Sequence, residues 1–173
     1  MTTMFRYRYD NFSIRPAVPE DVPSILSLVR ARADYEQATG GKVVTEEQLD
    51  KWIFREHRAE VLIGEADGDA VGFALFFESF STLLGGPALY IEDMFVIPKA
   101  QGNGYGKMLL QYLSRLTLER GYGRLEWTCL NWDRPSIDFY LYLGAERMDE
   151  WTVYRLSGEA LEELALEEPA EEE

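Results

Sequence analysis

Ile91-Glu92-Asp93-Met94-Phe95-Val96-Ile97-Pro98 runs, two residues later, into Gln101-Gly102-Asn103-Gly104-Tyr105-Gly106-Lys107. Leu89 to Ile97 reads as a long strand. From about Gly106 to Arg120 the apolar residues Met108, Leu109, Tyr112, Leu113, Leu116 and Leu118 return at helical spacing, and Gly121 stops them. Between strand and helix the glycines stand at alternate positions. Glycine tolerates positive φ and places no side chain in the way of a ligand. Successive loop amides can therefore converge on one anion, reinforced by the N-terminus of the helix. A pyrophosphate suits such a cradle.

Three phosphate loops compete for this segment. The Walker loop needs Gly-Lys-Ser/Thr, and Gly106-Lys107 is followed by Met108, which has no hydroxyl for magnesium. The dinucleotide loop needs G-x-G-x-x-G, and the spacing here is G-x-G-x-G. A third pattern, Q/R-x-x-G-x-G, is met by Gln101, Gly104 and Gly106. An ordinary glycine turn capping a helix is the plain alternative.

Upstream, Phe12 to Arg15 alternates as a strand that ends at Pro16. A helix follows from about Glu20, with Ile25, Leu26, Leu28 and Val29 as its stripe. Gly40-Gly41 breaks the chain. Thr45-Glu46-Glu47-Gln48 is a capping box opening a short helix with Leu49, Trp52 and Ile53. Glu60 to Ala66 and Ala70 to Phe77 form a hairpin about Asp67-Gly68-Asp69. Downstream, Arg124 to Leu130 reads as a strand, Pro135 to Leu143 as a helix before Gly144, and Trp151 to Leu156 as a last strand. This order indicates one α+β domain over residues 1–173, built on a mixed, mostly antiparallel sheet flanked by helices.

Composition narrows the function classes. With 46% hydrophobic and 13% aromatic residues in 173, the chain can bury a core. Its apolar runs are too short for a membrane span, and no signal peptide opens it. The single cysteine, Cys129, excludes an internal disulfide framework and fits a reducing cytoplasm. The net charge is −14, and eight acidic residues with no basic one follow from Glu159 on, which leaves −6 for the rest. Residues 167–173 read as a disordered acidic tail that aids solubility or steers cations. Such a chain is a poor partner for nucleic acid. One histidine, His57 in a polar stretch, and one cysteine argue against a metal site and a Ser-His-Asp hydrolase. Cys129, read as mid-strand, is expected to pack in the core.

Asn131-Trp132-Asp133-Arg134-Pro135-Ser136-Ile137-Asp138-Phe139-Tyr140, followed by Leu143-Gly144-Ala145, resembles the second signature of the GNAT superfamily, whose acetyl-CoA pyrophosphate loop is the Q/R-x-x-G-x-G pattern. The strand Tyr90 to Val96 and the ending Tyr154-Arg155-Leu156 resemble the diamine (spermidine/spermine) acetyltransferase branch and its thialysine-acetylating relatives. The likeness runs from Ile14 to Leu164. It implies a GNAT-like fold, acetyl-CoA as cofactor, and a homodimer. It also implies direct acetyl transfer to a small primary amine: a diamine, a polyamine or a lysine-like amino acid. A protein lysine or N-terminal acetyltransferase and a non-catalytic acyl-CoA-binding module are the alternatives.

By position in that pattern, Glu92 is the general base and Tyr140 the general acid. Gln101, Gly102, Asn103, Gly104, Tyr105, Gly106 and Lys107 hold the pyrophosphate. Phe95 and Val96 offer backbone groups to the pantetheine arm, and Asn131 and Ser136 lie in the segment that lines it. Tyr35, Glu36 and Asp93 are the implied amine contacts. Regular alternation would set Glu92 on one face with Tyr90, Met94 and Val96, an apolar wall able to raise its pKa, and Asp93 on the other unless a bulge re-aims it. Each role has a plain rival: a strand carboxylate paired to an arginine for Glu92, a packing tyrosine for Tyr140, an exposed helical carboxylate for Glu36. Two tryptophans of the polyamine enzymes are replaced here by Leu84 and Tyr154, which points to compact amines rather than spermine.

Overall fold

The structure is a computed structural model that describes residues 6–37 and 43–166. The glycine break at 40–41 and the acidic tail at 167–173 lie outside them. The described residues fall into two compact units, one up to residue 128 and one from residue 129 on.

The first unit is built on a six-stranded sheet in the order β1 (Tyr7–Tyr9), β2 (Phe12–Pro16), β3 (Glu60–Ala66), β4 (Asp69–Ser81), β5 (Gly86–Val96), β6 (Leu125–Trp127). Neighbours are antiparallel except β5 and β6, which run parallel. The β3–β4 hairpin turns on Asp67 and Gly68, both at positive φ (52° and 89°), as a tight two-residue turn requires. β1 is an added edge strand that the sequence reading did not contain.

One face of the sheet carries α1 (Val22–Tyr35), entered through the 3₁₀ turn Pro19–Asp21, and the short α2 (Glu46–Leu49), which continues as a π-helical stretch over Asp50–Arg55. Val22, Ile25, Leu26 and Leu28 of α1 join Leu49, Ile53, Val61, Ile63, Phe73 and Phe95 in one buried cluster. Each such side chain contributes about 1.5–3 kcal/mol over its exposed state. The capping box forms as the sequence indicates. The Gln48 amide donates to the Thr45 hydroxyl at 3.2 Å, and the Thr45 amide donates to Gln48 Oε1 at 3.0 Å.

The other face carries α3 (Tyr105–Glu119), with Leu109, Leu113 and Leu116 buried and Tyr105 stacked on Phe12 at 4.0 Å between centroids. Gly72 lies where β4, β5 and α3 meet. A Cβ there would stand 2.9 Å from the Phe95 carbonyl oxygen and 3.6 Å from Leu109. Two arginines fasten the frame. Arg15 of β2 forks to Asp21 at the start of α1 and also donates to Glu65 of β3, and Arg120 past α3 bonds both oxygens of Glu60.

In the second unit α4 spans Arg134–Tyr142 and α5 spans Glu159–Leu166. The strand expected at Trp151 to Leu156 is absent. Trp151, Val153 and Tyr154 are 71%, 77% and 91% exposed. Their β-propensity is a preference for a half-buried pleated surface, and the described residues of this unit include no strand to supply a ladder. The strand expected over Arg124 to Leu130 keeps only Leu125–Trp127. Cys129 therefore lies beyond β6 and is partly exposed rather than packed mid-strand.

Candidate functional site

The glycine loop sits where β5 hands over to α3. Pro98–Ala100 makes a 3₁₀ turn, after which the Gln101 side chain donates through Nε2 to the Val96 carbonyl at 2.8 Å. Asn103 Nδ2 likewise donates to the Ala100 carbonyl at 3.0 Å. These two bonds fold the loop back on itself. Gly102 and Gly104 take φ of 83° and 79°, a region that costs other residues strain.

No side chain caps α3 at Gly104. The first helical bond runs from the Met108 amide to the Gly104 carbonyl, so the amides ahead of it have no intrahelical acceptor. A Cβ added at Gly102, Gly104 or Gly106 would meet nothing within 4 Å. An uncapped helix end with open space above three glycines fits an anion. A cleft of about 400 Å³ continues from Gly104 and Lys107 past Gln111 and Arg115 to Tyr7 and Tyr9. Two cations line it in a chain of net charge −14, which extends the fit to a multiply charged phosphate ligand.

β5 departs from regular alternation beside this loop. Phe76 of β4 pairs with Ile91 and Leu75 with Asp93, so Glu92 is the extra residue of a bulge. Alternation therefore breaks at Glu92. Tyr90 and Asp93 share the α1 face, opposite Phe77 and Leu75, while Met94 and Val96 stand on the α3 face opposite Ala74 and Gly72. The apolar wall expected for Glu92 is not assembled, because Tyr90 and Met94 point to opposite faces. Glu92 itself is exposed. β6 pairs with β5 only at Leu89, Tyr90 and Ile91. Beyond the bulge the edge of β5 away from β4, including Phe95 and Val96, has no strand beside it among the described residues. Such an edge can take an extended amide-bearing chain.

Asp93 is the more buried carboxylate of the pair. Burial raises its pKa above the ordinary aspartate value, with Arg32 opposing and Glu92 and Glu36 adding to the rise. The Arg32 guanidinium bridges it, Nη1 pairing with Asp93 Oδ1 and Nη2 with Glu36 Oε1 at 2.9 Å. Glu36 is thus a half-buried, ion-paired carboxylate rather than a free helical one. Tyr35, next to it, sets its ring 5.9 Å from that of Phe95. Tyr35, Glu36 and Asp93 were expected at this place from the sequence, and Arg32 was not. Its i,i+4 spacing to Glu36 was visible, but the tie to Asp93 depends on the bulge.

In the second unit the buried Asp133 caps α4. Its carboxylate accepts from the Ser136 amide at 3.3 Å and from the Ser136 hydroxyl at 2.7 Å. Ser136 is thus engaged in the cap. Asn131 lies exposed in the turn before it, and Tyr140 is half-buried in α4 with its ring 5.4 Å from Phe139. His57 is exposed, at a φ of 50°.

Residues 26–145 match the model of the Acetyltransferase (GNAT) family. The chain is 34% identical to a thialysine N-epsilon-acetyltransferase of Bos taurus, over 88% of this chain and 96% of that protein. It is 27% identical to an L-ornithine N5-acetyltransferase of Arabidopsis thaliana, over 87% of this chain and 86% of that one. Among solved structures, an integron cassette protein from the mobile metagenome of V. cholerae superposes with a TM-score of 0.77 at 24% identity, covering 91% of this chain and 99% of the other.

Proposed function

The chain belongs to the GNAT acetyltransferase family, whose enzymes are acetyl-CoA-dependent N-acetyltransferases, and from that premise we propose that its acceptor is a small molecule bearing a primary amine: a diamine, a polyamine or a lysine-like amino acid. The observation that carries acetyl transfer is the uncapped, glycine-opened N-terminus of α3 beside the unpaired edge of β5, and the amine acceptor is taken from the relatives named for thialysine and ornithine. Gln101 to Lys107 hold the pyrophosphate through backbone amides, with Lys107 adding charge. The backbone of Phe95 and Val96 receives the pantetheine arm along the β5 edge, and Asn131 and Ser136 belong to the segment that lines it. Bound acetyl-CoA supplies an acetyl group activated as a thioester.

The chain's own task is then to manage protons. An alkyl ammonium, pKa near ~10.4, is not a nucleophile until it loses a proton. Glu92, exposed at the bulge and engaged by no hydrogen bond or ion pair among the described residues, takes that proton directly or through water. Tyr140 returns a proton to the leaving thiolate, a role assigned from its place in the second signature. The homologues' thialysine and ornithine place an amine at the end of an amino-acid side chain, and that chemistry suits the acidic surroundings of Glu92. The protein works as a homodimer in a reducing cytoplasm, by the same resemblance and by its single cysteine.

The test measures free thiol released from acetyl-CoA across a panel of small primary amines, with mass spectrometry locating the acetyl group on the amine nitrogen. Amine-dependent thiol release and an N-acetylated product are expected. A release rate that no small amine accelerates would overturn the reading.

A further inference from the structure

The Glu36–Arg32–Asp93 cluster has a charge order that a plain cation site would not have. A diamine or polyamine is best received by carboxylates with no cation between them. Here the guanidinium of Arg32 sits between two carboxylates, bonding Asp93 through Nη1 and Glu36 through Nη2. All three side chains are only partly accessible, at 28% for Arg32, 26% for Glu36 and 16% for Asp93, so the charges are desolvated enough to interact strongly. The cluster lies at the β5 bulge, one residue from Glu92, with the Tyr35 and Phe95 rings beside it.

We propose that Arg32 is a specificity-determining residue that receives the α-carboxylate of an amino-acid acceptor, while Glu36 and Asp93 receive its α-ammonium. This rests on the small-amine transferase reading above and narrows it to amino acids with an ω-amine. The alternating minus–plus–minus cluster complements a zwitterionic head group. A guanidinium carries five N–H donors, and the contacts to Asp93 and Glu36 engage one on each terminal nitrogen, so donors remain for a carboxylate. A diamine of equal length presents an ammonium at that end, and Arg32 repels it. A purely structural clamp between α1 and β5 would instead treat both ligands alike.

Matched pairs decide between these roles, because ornithine and 1,4-diaminobutane, or lysine and 1,5-diaminopentane, differ only in the carboxylate. With saturating acetyl-CoA, the wild-type protein is expected to favour each amino acid over its diamine by at least ~10-fold in kcat/KM, the usual effect of one charge-assisted contact. Arg32→Gln should erase that preference by lowering the amino-acid value and leaving or raising the diamine value. Arg32→Lys, which keeps the charge without the fork, should restore part of it. Calorimetry of the same ligands with CoA present repeats the ordering without turnover. Lost turnover with the binding order intact would count against the transferase reading and still support the role of Arg32. Equal handling of lysine and 1,5-diaminopentane by the wild type, or an equal loss for both in either variant, overturns the proposal.

Discussion

Gln101 reaches back five residues to donate its side-chain amide to the Val96 carbonyl at 2.8 Å, which ties the glycine loop to the end of β5. The bond joins the two segments assigned to the cofactor, one for its phosphates and one for its pantetheine arm. Removing it loosens the loop without touching the glycines. Gln101→Ala is expected to raise the KM for acetyl-CoA about 5-fold, in line with roughly 1 kcal/mol for one hydrogen bond. Steady-state kinetics at saturating amine checks it, and an unchanged KM would deny the bond any part in cofactor binding.

Gly104 stands at φ 79° as the residue before the first turn of α3, with open space where a Cβ would go. A valine at that position meets backbone strain and places methyl groups over the amide cradle. Gly104→Val should raise the acetyl-CoA dissociation constant more than ~10-fold, since a lost charge-assisted hydrogen bond costs about 1.5–3 kcal/mol. Calorimetry on a protein shown to be folded by circular dichroism is the measurement. Unchanged affinity would remove the loop from the cofactor site.

Tyr140→Phe deletes one hydroxyl from α4 and keeps the ring. If that hydroxyl protonates the departing thiolate, acetyl-CoA affinity stays constant and kcat falls about 10²–10⁴-fold, the usual contribution of general acid catalysis. A fall of less than ~5-fold, with chemistry shown to limit the rate, would assign the tyrosine to packing instead.

The Arg15 fork makes a pH-dependent contribution to stability. Its hydrogen bonds hold the Asp21 carboxyl below its ordinary value of 3.8. At Glu65 burial works against the charge, yet the bonds and charge of Arg15, helped by Arg6 and Ser13, leave that carboxyl below its ordinary 4.5 as well. Depressed carboxyls stabilise the fold above their unfolded pKa values, and that stabilisation fades as pH falls through the folded ones. The Tm gap between wild type and Arg15→Gln should therefore be widest near neutral pH and shrink from about pH 5 to about pH 3. Scanning calorimetry across that range checks it, and a gap independent of pH would place the energy of Arg15 elsewhere.

Most of the scaffold was legible in the chain because its signals are local. The capping box at Thr45 and Gln48, the hairpin at Asp67-Gly68, the α3 stripe ended by Gly121 and the glycine spacing of the loop each depend on neighbours a few residues apart. Periodicity also picked out the face of α1 and most of that of α3, although Leu118 of the expected stripe is 75% exposed and Leu110, outside it, is buried. What depends on pairing was not legible. Trp151 to Leu156 has strand composition and no ladder, β1 has a ladder and little pattern, and Cys129 falls outside a strand that stops at Trp127. The same limit decided the site. Glu92 and Asp93 are adjacent carboxylates whose sequence says nothing of which is buried. The register of β4 against β5 inserts one residue, which leaves Glu92 exposed and sends Asp93 inward to Arg32, sixty-one positions away in the chain. Residue type and short spacing thus indicated the glycine loop, the helices α1 to α4 and the family. Register and charge pairing, which exist only once distant strands and helices meet, decided which carboxylate is exposed and which is held by an arginine.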